Sequence, residues 1–210
     1  SSAGKTLSAS KCGSPFFALL NFNLKGRKTV LERKNYYHNV LIDLPDDYLN
    51  GQDAGELSKL RYGLYSVGWN GCEMIAIYNA ARDLGIKTTF PRVCYEMYPK
   101  SEIMAGFFGS NVSVLGKFFD ERGVPYTKTW DYNTFFNELP HCRCGILSFW
   151  NHRRIFSSLH TVMVKYIDGK IVIFNKSNKR TEPVPVDSRH DVTRNKLFIV
   201  GYLFEEEAAK

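Results

Sequence analysis

The sequence has no apolar run long enough to cross a bilayer: the longest near its start, Pro15–Phe22 (PFFALLNF), is eight residues, where a span needs about 20. No membrane span is therefore expected. Nor does a charged segment followed by an apolar stretch open the chain, so no signal peptide is expected and a cytoplasmic location is the working reading. There is no Walker loop, dinucleotide glycine pattern, metalloprotease His-Glu pair or RNA-binding signature. Nucleotide chemistry, a cofactor and a nucleic-acid partner are accordingly not expected. Cysteine is sparse and odd in number, with five thiols at positions 12, 72, 94, 142 and 144. A complete disulfide framework is excluded, and at least one thiol has another use.

What is present is an ordinary globular balance in 210 residues, with 44% apolar and 23% charged residues. Aromatics reach 14%, enough to anchor a core and leave some rings for grooves. The net charge of +7 favours acidic partners without naming one. The basic cluster Lys25, Arg27, Lys28, Arg33 and Lys34 is broken by Glu32 and reads as solvated surface.

Residues 1–60 read as an N-terminal extension, flexible over the Ser- and Gly-rich lead-in, with Val40–Leu44 (VLIDL) as a short strand before a turn-rich stretch. From residue 61 the pattern is stronger. Cys72–Leu84 (CEMIAIYNAARDL), closed by Gly85, predicts a helix buried on most of its circumference. Further helices are predicted within Pro91–Met104, over Ser113–Arg122 with Ser113 as its cap, and from Asp131 to Leu139. Strands are predicted at Pro125–Trp130, Gly145–Trp150, His160–Ile167, Lys170–Asn175 and Leu197–Phe204. Lys176–Lys196 reads as a polar connection. Helices first and an antiparallel strand set last imply an α+β domain with helices packed on one sheet.

Two features carry chemistry. Trp69-Asn70-Gly71-Cys72 runs directly into the buried helix, where free backbone N–H groups and the positive end of the helix dipole favour thiolate over thiol. The Cys72 N–H is also placed to contribute to an oxyanion hole. The second feature is His160–Ile167, then Asp168-Gly169, then Lys170–Asn175, a strong hairpin signal. With a two-residue turn, Asn175 pairs with Val162, and parity puts His160, Val162, Asn175 and Ser177 on one face. The His160 imidazole and the Asn175 amide are then diagonal neighbours. A turn longer by one residue would bring Asn178 there instead. Cys72 as nucleophile, His160 as base and Asn175 as the group that orients the imidazole are the expected catalytic set.

These residues resemble a family. Asn70–Ala80 (NGCEMIAIYNA) is similar to the Cys-helix of papain-like cysteine peptidases of the bacteriocin-processing, double-glycine leader type. His160–Val164 and Ile171–Asn175 resemble that family's His strand and the strand ending in Asn or Asp. Val114–Phe119 with Gly123, and Gly145–Trp150, resemble its second helix and the strand before the histidine. The likeness covers roughly Tyr62–Phe204. It implies a papain-like fold and a Cys-His-Asn triad, with hydrolysis or acyl transfer at an amide of a peptide or protein substrate. One departure concerns the oxyanion: the family's Gln, about six residues before the Cys, is replaced by Ser66, with no Gln nearby in sequence. Asn70 is the expected substitute, and loss of one such donor costs about 10²–10³ in rate. A catalytically inert relative that binds peptide is the rival expectation.

Trp69 and Trp150 are candidate groove residues, and Asn151, His152, Arg153 and Arg154 form a polar loop expected to border the cleft and favour acidic substrates. His141, Cys142 and Cys144 with His152 have the residue types of a zinc site but lack its usual spacing, so no metal is expected. Glu73 reads as an acid favoured by the helix dipole.

Overall fold

The computed structural model describes residues 30–101, 111–150, 159–194 and 197–205. Residues 30–39 form helix α1, and short strands β1 (Arg61–Tyr62) and β2 (Tyr65–Ser66) lead through a single-turn α2 (Val67–Asn70) into α3 (Cys72–Asp83). Then come α4 (Phe90–Ser101), the single-turn α5 (Lys117–Asp120), β3 (Thr127–Thr129), α6 (Tyr132–Glu138), β4 (Cys142–Trp150), β5 (Leu159–Ile167), β6 (Lys170–Phe174), β7 (Val184–Val186), α7 (Arg189–Thr193) and β8 (Phe198–Glu205). Six strands form one antiparallel sheet in the order β3-β8-β4-β5-β6-β7. The fold is α+β.

Both faces of the sheet are covered. On one, α3 and α4 pack through Met74, Ile75 and Met97 against Ile146, Met163 and Tyr202; on the other, α6 and α7 bring Phe135, Phe136 and Val192 onto Leu147, Val162 and Val164. Two-sided burial is why β4 and β5 read as nearly unbroken apolar runs. In α3 every residue but Arg82 is buried, and Gly85 behind it takes φ 73°, the left-handed conformation that a helix C-terminus favours. In α4 the buried side chains Phe90, Val93, Cys94, Met97, Tyr98 and Ser101 recur at three- and four-residue intervals, the stripe of an amphipathic helix. Asp131 caps α6 by accepting from the Thr134 N–H at 2.7 Å.

Four sequence expectations change. Val40–Leu44 is no strand: it follows α1 as a turn, where Asn39 fixes the chain by accepting from the Arg61 N–H and donating to its carbonyl. Ser113–Arg122 divides into a 3-10 turn, Val112–Val114, and the short α5, and the cap is Asn111, whose side chain accepts from the Ser113 N–H. The polar connection after β6 holds β7 and α7. Finally, residue 60 marks no break in packing. Leu49, Leu57 and Leu60 belong to the same core as α3, and the Asn79 amide on α3 both accepts from and donates to the main chain of Leu49 at 2.8 Å. Buried Asp83, at the end of α3, accepts from the Tyr48 hydroxyl and from Lys165 on β5, each at 2.6 Å.

Candidate active site

The α2–α3 junction is made by Gly71, whose N–H closes α2 on the Val67 carbonyl at 2.8 Å. A Cβ there would lie 2.4 Å from Val67 Cγ1 and 2.7 Å from its carbonyl oxygen, so glycine alone fits. Cys72 therefore opens α3 in a fixed position. Its sulfur lies against the backbone N–H of Thr161, and its thiol donates to Glu73 Oε2 at 3.2 Å. Cys72 and Glu73 are both buried.

This burial reverses the expected electrostatics of the thiol. Desolvation, followed by the neighbouring Glu73 charge, pushes the Cys72 thiol well above its ordinary range, and these effects exceed the stabilising contacts from the backbone N–H groups of Thr161 and Glu73. The resting group is a thiol, not a thiolate. Glu73 is likewise pushed up to about 7 by desolvation. A residue expected merely to favour the helix dipole is thus a buried acid of raised pKa in contact with the sulfur.

The β5–β6 hairpin has the two-residue Asp168-Gly169 turn, with Ile167 paired to Lys170 and Met163 to Phe174. The Asn178 alternative therefore does not arise. β6 nevertheless ends one residue early, because Asn175 adopts φ 59° and leaves the pleat. The consequence is a change of atom: His160 Nε2–H donates to the backbone carbonyl of Asn175 at 2.9 Å, where a side-chain bond was expected. A carbonyl only accepts, so Nε2 carries a proton. Phe149, the cross-strand partner of His160, packs edge-on to the imidazole at 5.8 Å between ring centres.

The Asn175 side chain turns instead toward a residue that sequence reasoning missed. Asn175 Nδ2 donates to Gln52 Oε1 at 3.0 Å, and Asn175 Oδ1 accepts from the Gln52 N–H at 3.2 Å. Gln52 Nε2 donates to the Gly68 carbonyl in α2 at 2.9 Å. Asn50 accepts from the Asn175 N–H at 2.7 Å, and the Asp53 N–H donates to the Asn178 carbonyl at 2.7 Å. A turn from the supposed extension thus ties the His-Asn end of the hairpin to the segment that leads into Cys72. Gln52 is the chain's single glutamine, and although no Gln is near Cys72 in sequence, this one bonds to Gly68, four residues before Cys72. Both ends of its amide are engaged in holding the loop, so its geometry is that of a positioning residue.

Of the other candidates, Asn70 is buried at the end of α2, next to Gly71. Ser66 is the N-terminal cap of α2. Trp69 is 71% exposed and stacked on Tyr65. Trp150, half-buried at the end of β4, pairs with Leu159 and donates its backbone N–H to the Leu197 carbonyl. The Asn151, His152, Arg153 and Arg154 loop lies outside the described residues, as do Lys25, Arg27 and Lys28. Cys142 and Cys144 are free thiols separated by an irregularity in the β4–β8 ladder. Among the described residues no cluster of three metal-ligating side chains occurs, and no helix is long and apolar enough to cross a membrane.

A cleft of about 340 Å³ opens beside His160, with Phe149, Val184 and Val192 as its apolar side and the Lys176–Arg180 loop as its polar one. His160 shares this cleft with Phe149 and Val192, from the side of the sheet that α6 and α7 cover, and the Cys72 sulfur meets the backbone N–H of the next residue on the strand, Thr161. No protein-family model, curated protein or solved structure matches the chain.

Proposed function

We propose that the chain is a papain-like cysteine peptidase or amide acyltransferase acting on a peptide substrate. The observation that carries this reading is the contact of the Cys72 sulfur with the Thr161 N–H, one residue along from a histidine whose far nitrogen is clipped to the Asn175 carbonyl. In this reading His160 Nδ1 takes the thiol proton as Cys72 attacks the scissile carbonyl carbon. His160 returns the proton to the leaving amine, and water or an acceptor amine then releases the acyl group from the Cys72 thioester. The Cys72 N–H and the Asn70 amide are the groups proposed for the oxyanion. Glu73 keeps the sulfur protonated at rest, so that the attacking thiolate forms only when His160 takes its proton.

A second reading, an inert papain-like module that binds peptide, is favoured by one observation: the buried, Glu73-bonded thiol of raised pKa. Labelling with iodoacetamide at pH 7, located by mass spectrometry, separates the two. The peptidase reading expects preferential modification of Cys72 and its loss in His160→Ala. Absent labelling, or labelling unchanged by His160→Ala, would overturn it and leave the inert module.

A further inference from the structure

The cleft beside His160 has a marked charge bias. Lys176, Arg180 and Arg194 line it, and no carboxylate does so among the described residues. Arg180 and Arg194 are exposed, and no ion pair among the described residues takes up either guanidinium. Elsewhere in the fold several cations do meet carboxylates: Arg82 meets Asp46, Lys165 meets Asp83 and Arg122 meets Glu96. The arginines lining this cleft thus present charge that no carboxylate among the described lining residues offsets. Opposite them the cleft is apolar, with Phe149, Val184 and Val192.

The two arginines are also held in place by backbone features. Arg194 is the left-handed residue that ends α7, at φ 50°. At Arg180, the carbonyl lies 3.0 Å from where a Cβ on Gly51 would stand, so the close approach of the two chains requires glycine at position 51. The Asn50–Asp53 turn that pins Asn175 thus also backs the loop presenting Arg180.

We infer that this cleft seats an acidic stretch of peptide, with an apolar side chain against Phe149, Val184 and Val192 and its carboxylates on Lys176, Arg180 and Arg194. The inference rests on the reading of His160 as part of the reacting centre and names the substrate class of that centre. Exposed charge pairs contribute little singly, so the expected selectivity is modest and shared.

The test is calorimetric binding to full-length Cys72→Ala protein, which needs no thiol chemistry. The probes are an end-capped hexapeptide with a Leu-Glu-Glu core, its Leu-Gln-Gln counterpart, and inorganic phosphate. The acidic peptide should bind about tenfold tighter than the amide one, with the advantage shrinking between 0.1 and 0.5 M salt, both magnitudes being of the order expected for screened surface charges. Arg180→Ala and Arg194→Ala, at exposed positions that do not threaten folding, should each weaken the acidic peptide about threefold and leave the amide peptide unchanged. Equal binding of the two peptides, no binding of either, or a preference untouched by both arginine variants would overturn the inference. Phosphate binding as tight as the acidic peptide would overturn the assignment to a peptide. An acidic preference alongside unlabelled Cys72 in the wild-type protein would uphold the cleft and end the thiol chemistry, so the two failures are distinct.

Discussion

Replacing Glu73 by Gln tests the electrostatics at the sulfur most directly. Gln keeps the shape and an oxygen able to accept from the Cys72 thiol, and removes the charge. In the folded protein the Glu73 carboxyl is pushed from its ordinary 4.5 up to about 7 by desolvation. The folded state therefore prefers the protonated form, and the stability tied to it is complete below about pH 4.5 and lost as pH rises through about 7. At 1.36 kcal/mol per pH interval, wild type gives up about 3 kcal/mol across that window and Glu73→Gln does not. With a urea dependence of roughly 1–3 kcal/mol per molar, the midpoint of the variant relative to wild type should rise by about 1–3 M between pH 4.5 and pH 8. The measurement is urea unfolding of both proteins at matched pH values, read as the difference between them so that every other titrating group cancels. Because the Glu73 charge also raises the thiol, Glu73→Gln should label faster with iodoacetamide at pH 7.5. Midpoint curves that run parallel with pH would refute the argument that a buried carboxylate ionises beside Cys72.

Gln52→Ala should destabilise the protein by about 2–4 kcal/mol, since it leaves buried Asn175 Nδ2 and the Gly68 carbonyl without their partners. It should also move the pH profile of Cys72 labelling toward that of His160→Ala, whereas an unchanged profile would make Gln52 a structural residue only. Gly201→Ala should cost about 1–3 kcal/mol, because a Cβ on β8 would stand 2.1 Å from Cδ2 of the fully buried Phe135. Phe135→Leu in the same chain should recover part of that loss, and additive losses in the double variant would show that the clash is not the cause.

Local chemistry was the legible part of this sequence. The length and cap of α3, the Asp168-Gly169 turn and the capping of α6 by Asp131 all depend on neighbours within a few positions, and each was read nearly to the residue. The register of the hairpin follows from its turn, so the pairing of Met163 with Phe174 was readable as well. The positive φ at Asn175 was not, because it depends on Asn50 and Gln52, which are more than a hundred positions away. For the same reason Gln52 carried no signal, lying in a turn-rich stretch with nothing periodic about it. The expected thiolate failed on magnitude. A helix terminus contributes about 0.3–1 kcal/mol at exposed sites, less than the desolvation of a sulfur sealed between α3 and β5 beside a carboxylate.

The turn at Asn50–Asp53 also bears on when the site comes into being during folding. Its bonds to Asn175 join residues 123 and 125 positions apart. Contacts of that span are formed only after a large loop-closure entropy has been met, whereas α3 and the β5–β6 hairpin are assembled from near neighbours. The tie between the Asn50–Asp53 turn and the end of β6 is therefore a late act of folding, made after the hairpin itself has formed. Until then the end of β6 and the loop presenting Arg180 lack the turn that backs them.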